Sequence, residues 1–322
     1  MHTFKYCQRR NHVYIGRFYL PVRRMLIVLT VISVVCLFIH LIQTGIFLVE
    51  HFLPNEQIND LSRLDTKLWR RNTQWSTKIP RRIHQIWISS KENQSIYERF
   101  EKAAHGCLHK HINYTYTLWT HDKILRWLKM EYPWFVSIYE GYSYDMQRID
   151  AMKYFLLFHF GGIYIDLDVV CKAGDLITAM IPINHLDKEP DVILHMGTEG
   201  ISANTDIMAA KRFHPLFKLA LQRLQSANRW FYLYHLTIIL SAGPTFFFGI
   251  YQQYLLKENI YFIPNDQLYG KLVGGVGGGT WMGRDTVILL FLMENKLLST
   301  CVFCLVILLS TGLLRWCKKK LI

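Results

Sequence analysis

Apolar and polar positions alternate in different ways along the chain. Met25 to Val49 is an apolar run with only a few polar residues and no charged one, and Leu297 to Leu314 is a second. At 1.5 Å per residue the first makes about 37 Å of helix, enough to cross a hydrocarbon core of about 30 Å, and the second is near the lower limit for a span. No short apolar region with a small-residue cleavage site precedes the first run, so it reads as a retained signal anchor. Between the runs the pattern is that of a folded domain. Ile83, Ile86/Ile88 and Trp87 suggest a first strand starting after Pro80, Tyr114 to Trp119 a second, and Thr120-His121-Asp122 a turn or helix cap. Helical spacing runs from Lys123 to Met130, and again through Ile149, Met152, Phe155/Leu156 and His159 until Gly161-Gly162 ends it. An apolar strand, Ile163 to Val170, follows at once. Alternating strands and helices predict an α/β layered domain.

Charge sharpens this picture. The 322 residues carry 37 Lys+Arg against 24 Asp+Glu, a formal charge of +13. Six basic residues precede Met25 (Lys5, Arg9, Arg10, Arg17, Arg23, Arg24) and four follow Leu314 (Arg315, Lys318, Lys319, Lys320), leaving +3 for everything between. The basicity belongs to the tails, so nucleic-acid binding has no support, and a 51% hydrophobic content excludes a disordered chain. Basic flanks on both runs place both termini in the cytosol and residues 50 to about 290 in the lumen. Six segments follow: a basic tail 1–24, an anchor 25–49, a stem 50–78, a catalytic domain 79–285, a membrane-associated segment 286–316 with a span at about 297–316, and a tail 317–322. Lys319-Lys320-Leu321-Ile322 reads as a dilysine retrieval signal or as a plain stop-transfer flank, which predicts the Golgi or endoplasmic reticulum membrane. Asn93 and Asn113 open N-x-S/T sequons accessible in the lumen. Cys107 and Cys171 are the two luminal cysteines and are either one disulfide or two free thiols.

The strand Ile163 to Val170 carries the chemistry. A period of two puts Ile163, Ile165, Leu167 and Val169 on one face and Tyr164, Asp166 and Asp168 on the other. Two acids on an apolar strand are costly to bury unless a cation joins them, and hard oxygen ligands suit Mg²⁺ or Mn²⁺ held between carboxylates and substrate phosphates.

Arg148-Ile149-Asp150-Ala151-Met152-Lys153-Tyr154, followed by Gly161-Gly162-Ile163-Tyr164-Ile165-Asp166-Leu167-Asp168, resembles the signature of glycosyltransferase family 32. Ile79-Pro80 through Trp87 and Leu118 to Asp122 resemble its first two strands. Asn204-Thr205-Asp206, His214-Pro215, Asn228 to Phe231 and Ser241-Ala242-Gly243-Pro244 are similar to its fungal inositol phosphorylceramide mannosyltransferases. The resemblance implies a GT-A fold with a Rossmann-like sheet, GDP-mannose as donor, a divalent metal (Mn²⁺), a membrane sphingolipid acceptor and a regulatory membrane subunit. It implies retaining mannosyl transfer to inositol phosphorylceramide, with Asp166, Asp168 and Asp150 in catalysis. Donor contacts then fall to His84, Gln85, Trp87, Trp119, Asp122, Arg148, Lys153, Tyr164, Gly162 and Trp281, and acceptor contacts to Asn204, Asp206, Gly243 and Pro244. Lys153 stands where the family commonly has Arg, which keeps a cation but not bidentate recognition. Asp150 and Lys153, three apart, also read as a plain helix-surface pair.

One departure is plain. Where the family has Ser/Thr-Trp-His, this chain has Thr280-Trp281-Met282, and no His follows His235. Asp285 is the candidate third metal ligand beside Asp166 and Asp168. The run Gly274 to Gly279 reads as a lid or as a tether. A family transferase acting on protein-linked glycans and a non-catalytic, lipid-binding pseudo-transferase are the alternatives. A glycoside hydrolase is disfavoured, because its two acids normally come from different elements.

Overall fold

The computed structural model describes residues 78–89, 95–181, 189–197, 203–279 and 282–295, together with Gly45. The chain divides into a unit of residues 50–287 and another of residues 1–49 and 288–322, and the fold below belongs to the first. Both apolar runs apart from Gly45, the basic tails, the stem apart from Lys78, Asn93 and Trp281 lie outside the described residues. Among the described residues no helix is long and apolar enough to cross a membrane.

Six strands form a mixed sheet in the order β2-β1-β3-β6-β5-β7. β1 (Arg82–Trp87) lies between β2 (Thr115–Thr120) and β3 (Gly162–Ile165), parallel to both. β6 (Ala203–Ala210) runs antiparallel to β3 and to β5 (Val192–Met196), and β7 (Ile260–Ile263) closes the far edge parallel to β5. The crossover from β1 to β2 is α1 (Glu98–Lys110), which buries Phe100, Ala103 and Cys107 at helical spacing. α2 (His121–Glu131) and α3 (Pro133–Gly141, with Pro at its first position) lead to α4 (Asp145–Phe160). α4 is covered nearly all round. Its residues 150–159 are all buried, and Tyr154 stacks on Phe247 at 4.9 Å between ring centres.

Gly161 and Gly162 end α4 and start β3, with φ of 62° and 97°. A Cβ at Gly162 would stand 2.5 Å from the Arg82 carbonyl oxygen, so β1 and β3 approach there only because the residue is glycine. Ile83, Ile163, Ile165, Ile193 and Ile207 fill the core beneath the sheet.

The strand expected over Ile163–Val170 ends at Ile165. The Asp166 amide still pairs across to the Asp206 carbonyl at 2.8 Å, as the next rung after Ile165, but the Val169 amide donates back to the Asp166 carbonyl at 3.1 Å, so Asp166-Leu167-Asp168 is a turn. The chain then leaves the main sheet as β4 (Val169–Cys171), antiparallel to β8 (Val273–Gly275). A disulfide between Cys107 and Cys171 fastens β4 to α1 and settles which state these cysteines take. After β4 come α5 (Leu176–Met180), and beyond β6 α6 (Pro215–Ala227), α7 (Tyr234–Ser241), α8 (Pro244–Gln253), α9 (Asn265–Leu268) and α10 (Arg284–Glu294).

Candidate active site

The turn after β3 opens at the carboxyl end of the three parallel strands, where open α/β sheets hold ligands. α4 sets one side chain behind it. Lys153 Nζ lies 2.9 Å from Asp150 Oδ1 and 3.2 Å from Asp166 Oδ1, and 4.9 Å from the centre of the Tyr164 ring. Tyr164 donates its hydroxyl to Asp166 Oδ1 at 2.6 Å. Lys153 and Asp150 are almost wholly buried (1% and 2% exposed), which removes the surface-pair reading. Burial acts against the Lys153 ammonium, but two carboxylates outweigh it and hold its pKa above the usual value. Burial pushes Asp166 up to about 7; Lys153 opposes that and the charge on Asp168 adds to it.

Asp168 is raised as well, chiefly by burial. Its wall is the glycine run. β4–β8 pairing carries the chain to Val276, whose amide donates to the Asp168 carbonyl at 2.9 Å, and a Cβ at Gly278 would fall 1.9 Å from Asp168 Oδ2. Gly277 and Gly279 have φ of 82° and 77°, which side chains rarely adopt. Gly274 and Gly275 are therefore strand residues, while Gly278 and Gly279 line the acidic turn, so the tether reading gives way.

A hollow of about 100 Å³ opens over the turn between Trp87, Phe100, Met146, Ile149, Tyr164, Asp166, Asp168 and Gly279. Beyond Leu167 lies a second, largely apolar one of about 150 Å³, between α1 and Tyr116 and Leu118 of β2, with Glu101 and His105 among its lining residues.

The sequence reading missed a neighbouring network. Asp206 accepts from His195 Nδ1 at 2.8 Å, from the Tyr269 hydroxyl at 2.6 Å and from the Ile207 amide at 3.0 Å. His195 Nε2 lies 3.0 Å from Asn265 Oδ1, and Asn204 Nδ2 lies 3.4 Å from His195 Nδ1. Burial raises Asp206, but its donors outweigh this and bring its pKa below the usual carboxylate value. Burial lowers His195, yet the bonds to Asp206 and Asn265 raise it overall. Asp206 is thus a fixed anion beside Asp166. Only the Asp206 half of this pair carried a signal in the sequence, because His195 sits inside the apolar strand Val-Ile-Leu-His-Met.

Several expected donor contacts are taken up by the fold. His84 is fully buried; Trp119 Nε1 donates to its Nδ1 at 3.1 Å, so its Nε2 carries the proton and donates to the Gly161 carbonyl at 3.0 Å. Burial holds its pKa down at about 4. Trp119 is buried among Trp127 and Phe160. Arg148 donates to the carbonyls of Tyr139 (3.1 Å), Glu140 (3.0 Å) and Tyr142 and pairs with Asp145, which satisfies the open end of α3 rather than a donor. Gly162 serves strand approach. Gln85 spans Tyr116 (2.9 Å) and the Asp166 carbonyl (3.4 Å), so it supports the turn from beneath. Asp122 is exposed in the first turn of α2.

Asp285 is the clearest correction. Its Oδ2 accepts from the His235 amide at 2.7 Å and holds the start of α7, so it is committed there rather than as a third ligand. Gly243 packs against Asp150, whose Oδ2 would lie 3.2 Å from a Cβ there, and Pro244 opens α8. Asn113 is exposed in the turn before β2.

Residues 97–183 match the glycosyltransferase sugar-binding region containing DXD motif, a span that includes Asp166 and Asp168. Inositol phosphoceramide mannosyltransferase 1 of Schizosaccharomyces pombe is 32% identical over 228 residues, covering 68% of this chain and 67% of that protein. The chain belongs to glycosyltransferase family 32. It is an enzyme of glycosyl transfer. Mannosyl phosphorylinositol ceramide synthase SUR1 of Saccharomyces cerevisiae is 34% identical over 176 residues, 55% of this chain and 42% of that protein, so the match there spans less than half the relative's length. Among solved structures the PaToxG glycosyltransferase is similar over 56% of this chain and 72% of that chain, at 17% identity and a TM-score of 0.41.

The acidic turn suits a hard divalent cation of the kind DXD glycosyltransferases use with nucleotide sugars. Two carboxylates stand two residues apart, both pushed towards the protonated form by burial, which a cation would reverse. Among the described residues no three His, Cys, Asp or Glu side chains form a complete cage. A cation held by Asp166 and Asp168 would draw its remaining ligands from substrate phosphate and water.

Proposed function

We propose that this glycosyltransferase is a membrane-bound enzyme with a GT-A-type domain that transfers mannose from GDP-mannose to inositol phosphorylceramide, with Mn²⁺ and with retention. The observation that carries it is the ion-paired set Asp150–Lys153–Asp166, with Asp166 and Asp168 facing the hollow beside Trp87. The names of its relatives support the acceptor, and the two basic-flanked apolar runs support a catalytic domain in the lumen of the Golgi or endoplasmic reticulum.

Each residue has a role in this reading. Asp166 and Asp168 hold the cation, which supplies charge stabilisation to the departing diphosphate. Lys153 and Tyr164 fix Asp166 in orientation before donor arrives, so no reorganisation is needed at the moment of reaction. Asp150, with one oxygen on Lys153 and the other packed against buried Gly243, holds Lys153 in place behind Asp166. The apolar hollow beyond Leu167 offers a face for a flat base, and Glu101 is a carboxylate to receive the two N–H donors on a guanine edge. Asp206, held by His195 and Tyr269, stands as a fixed acceptor for a substrate hydroxyl. Front-side displacement needs no separate base, and none is assigned.

The test is transfer of labelled mannose from GDP-mannose in membranes containing inositol phosphorylceramide or a glycoprotein acceptor. Labelled ceramide lipid, lost with Asp168→Asn, is the expected result. Labelled glycan alone would favour the protein-glycan alternative.

A further inference from the structure

We propose that Trp230, Leu233, Met282 and Val287 form a seat for the bilayer surface at the lip of the acidic cleft. This rests on reading the chain as a membrane-bound enzyme with a lipid acceptor. The four side chains are 57%, 37%, 49% and 66% exposed, and they come from two segments fastened to each other. Asp285 takes the His235 amide at 2.7 Å, Thr286 Oγ1 meets His235 Nδ1 at 3.1 Å, and the Tyr234 ring packs against Gly283. The start of α7, with Leu233 just before it, and the start of α10, with Met282 just before it, therefore share one junction.

The backbone turns these side chains outward at a cost. Tyr232 has φ of 65°, a left-handed conformation that bulky residues rarely take. Its neighbour Phe231 is buried at 2% exposure while Trp230 and Leu233 face out. Exposed apolar groups held in place like this mark an interaction surface.

Three observations select a bilayer as the occupant. The apolar run Leu297–Leu314 begins ten residues after Val287, a length that reaches at most about 35 Å when fully extended. Arg229 and Arg284 are exposed beside the patch, positioned for phosphate headgroups, whereas Asp285 is turned inward onto α7. Trp is the side chain enriched at membrane interfaces. The seat also adjoins the chemistry. Met282 Sδ lies against Gly279, which lines the hollow, and Gly278 lies against Asp168. A headgroup held under this patch would be presented to the acidic turn.

The experiment uses the full chain in phosphatidylcholine vesicles, with and without bromine on the acyl chains. Tryptophan emission is recorded for wild type and for Trp230→Phe, and the difference isolates Trp230. Brominated lipid should quench that difference signal by at least about half. An unquenched signal overturns the proposal, and an unquenched signal that shifts on dilution gives the surface to a second copy of the chain instead. These vesicles hold no acceptor, so failure of the acceptor assignment leaves this reading intact. With acceptor added to the same vesicles, Leu233→Asp with Val287→Asp should raise KM for bilayer-presented acceptor about tenfold, with kcat and melting temperature unchanged. An unchanged KM also overturns it.

Discussion

The Lys153 ammonium lies 3.2 Å from Oδ1 of Asp166, the first acid of the D-x-D turn. The same ammonium is shared with Asp150, so one buried cation serves a buried carboxylate and a partly exposed one. Removing the ammonium leaves Asp150 buried without its cation and Asp166 with only the Tyr164 hydroxyl. Breaking a buried pair in this way costs about 3–5 kcal/mol. Lys153→Met should lower the melting temperature of the solubilised protein by several degrees, and Asp150→Asn in the same chain should restore part of the loss. Equal melting curves for wild type and Lys153→Met would show that the ammonium does not hold this cluster.

Asp166 holds its proton to about pH 7, and a cation has to displace it. Protonation therefore competes with metal below that pH. Apparent Mn²⁺ affinity, followed by calorimetry or thermal shift, should be about tenfold weaker at pH 6 than at pH 8. Asp166→Asn should flatten the profile as well as weaken binding.

Gly278 has no room for a side chain, since a Cβ would fall 1.9 Å from Asp168 Oδ2. Gly278→Ala should push that carboxylate off its position and weaken Mn²⁺ binding roughly 10–100-fold, the range found when supports of metal ligands are altered. The far-ultraviolet dichroism should not change, because the main sheet does not include this residue.

The Cys107–Cys171 bridge closes a loop of 64 residues. Chain-entropy arithmetic gives about 4 kcal/mol for such a loop. Urea unfolding with and without dithiothreitol should show a loss of that order, and Cys107→Ser should reproduce it without reductant. Transfer activity should fall with the same change, because β4 leads directly out of the acidic turn.

His84 titrates at about 4 in the fold against 6.5 in the unfolded chain. Between those values the unfolded chain binds the proton and the folded one does not, so stability is present above pH 6.5 and falls as pH drops. At pH 5.5 the loss from His84 is about 1 kcal/mol. The urea midpoint of the wild type should drop more between pH 7.5 and 5.5 than that of His84→Gln.

Local signals made much of this fold legible. Pro80 before an alternating run gave β1, and helical spacing closed by two glycines gave α4 and the start of β3. The acidic pair was readable because its setting was apolar and the family signature surrounds it. What stayed hidden depended on distant partners. Asp166 and Asp168 read as one strand face, but after Asp166 the Val169 amide turns back onto the Asp166 carbonyl and pairing with β8 draws the chain out of the main sheet. Arg148 matches a donor-binding position by sequence, yet the open end of α3 takes its guanidinium. His195 had no pattern to announce it. Asp285 stood three residues beyond Met282, which takes the place of the family His, whereas in space its carboxylate is taken by α7.

The pairing of β4 with β8 has a consequence for how the enzyme is made. Asp168 leaves the ribosome 110 residues before Gly278, the residue that walls it. At about 5–20 residues per second that interval is of the order of 5–20 seconds. Through that interval the acids are present but their glycine wall is not, so the pocket over Asp168 can close only after β8 has been made.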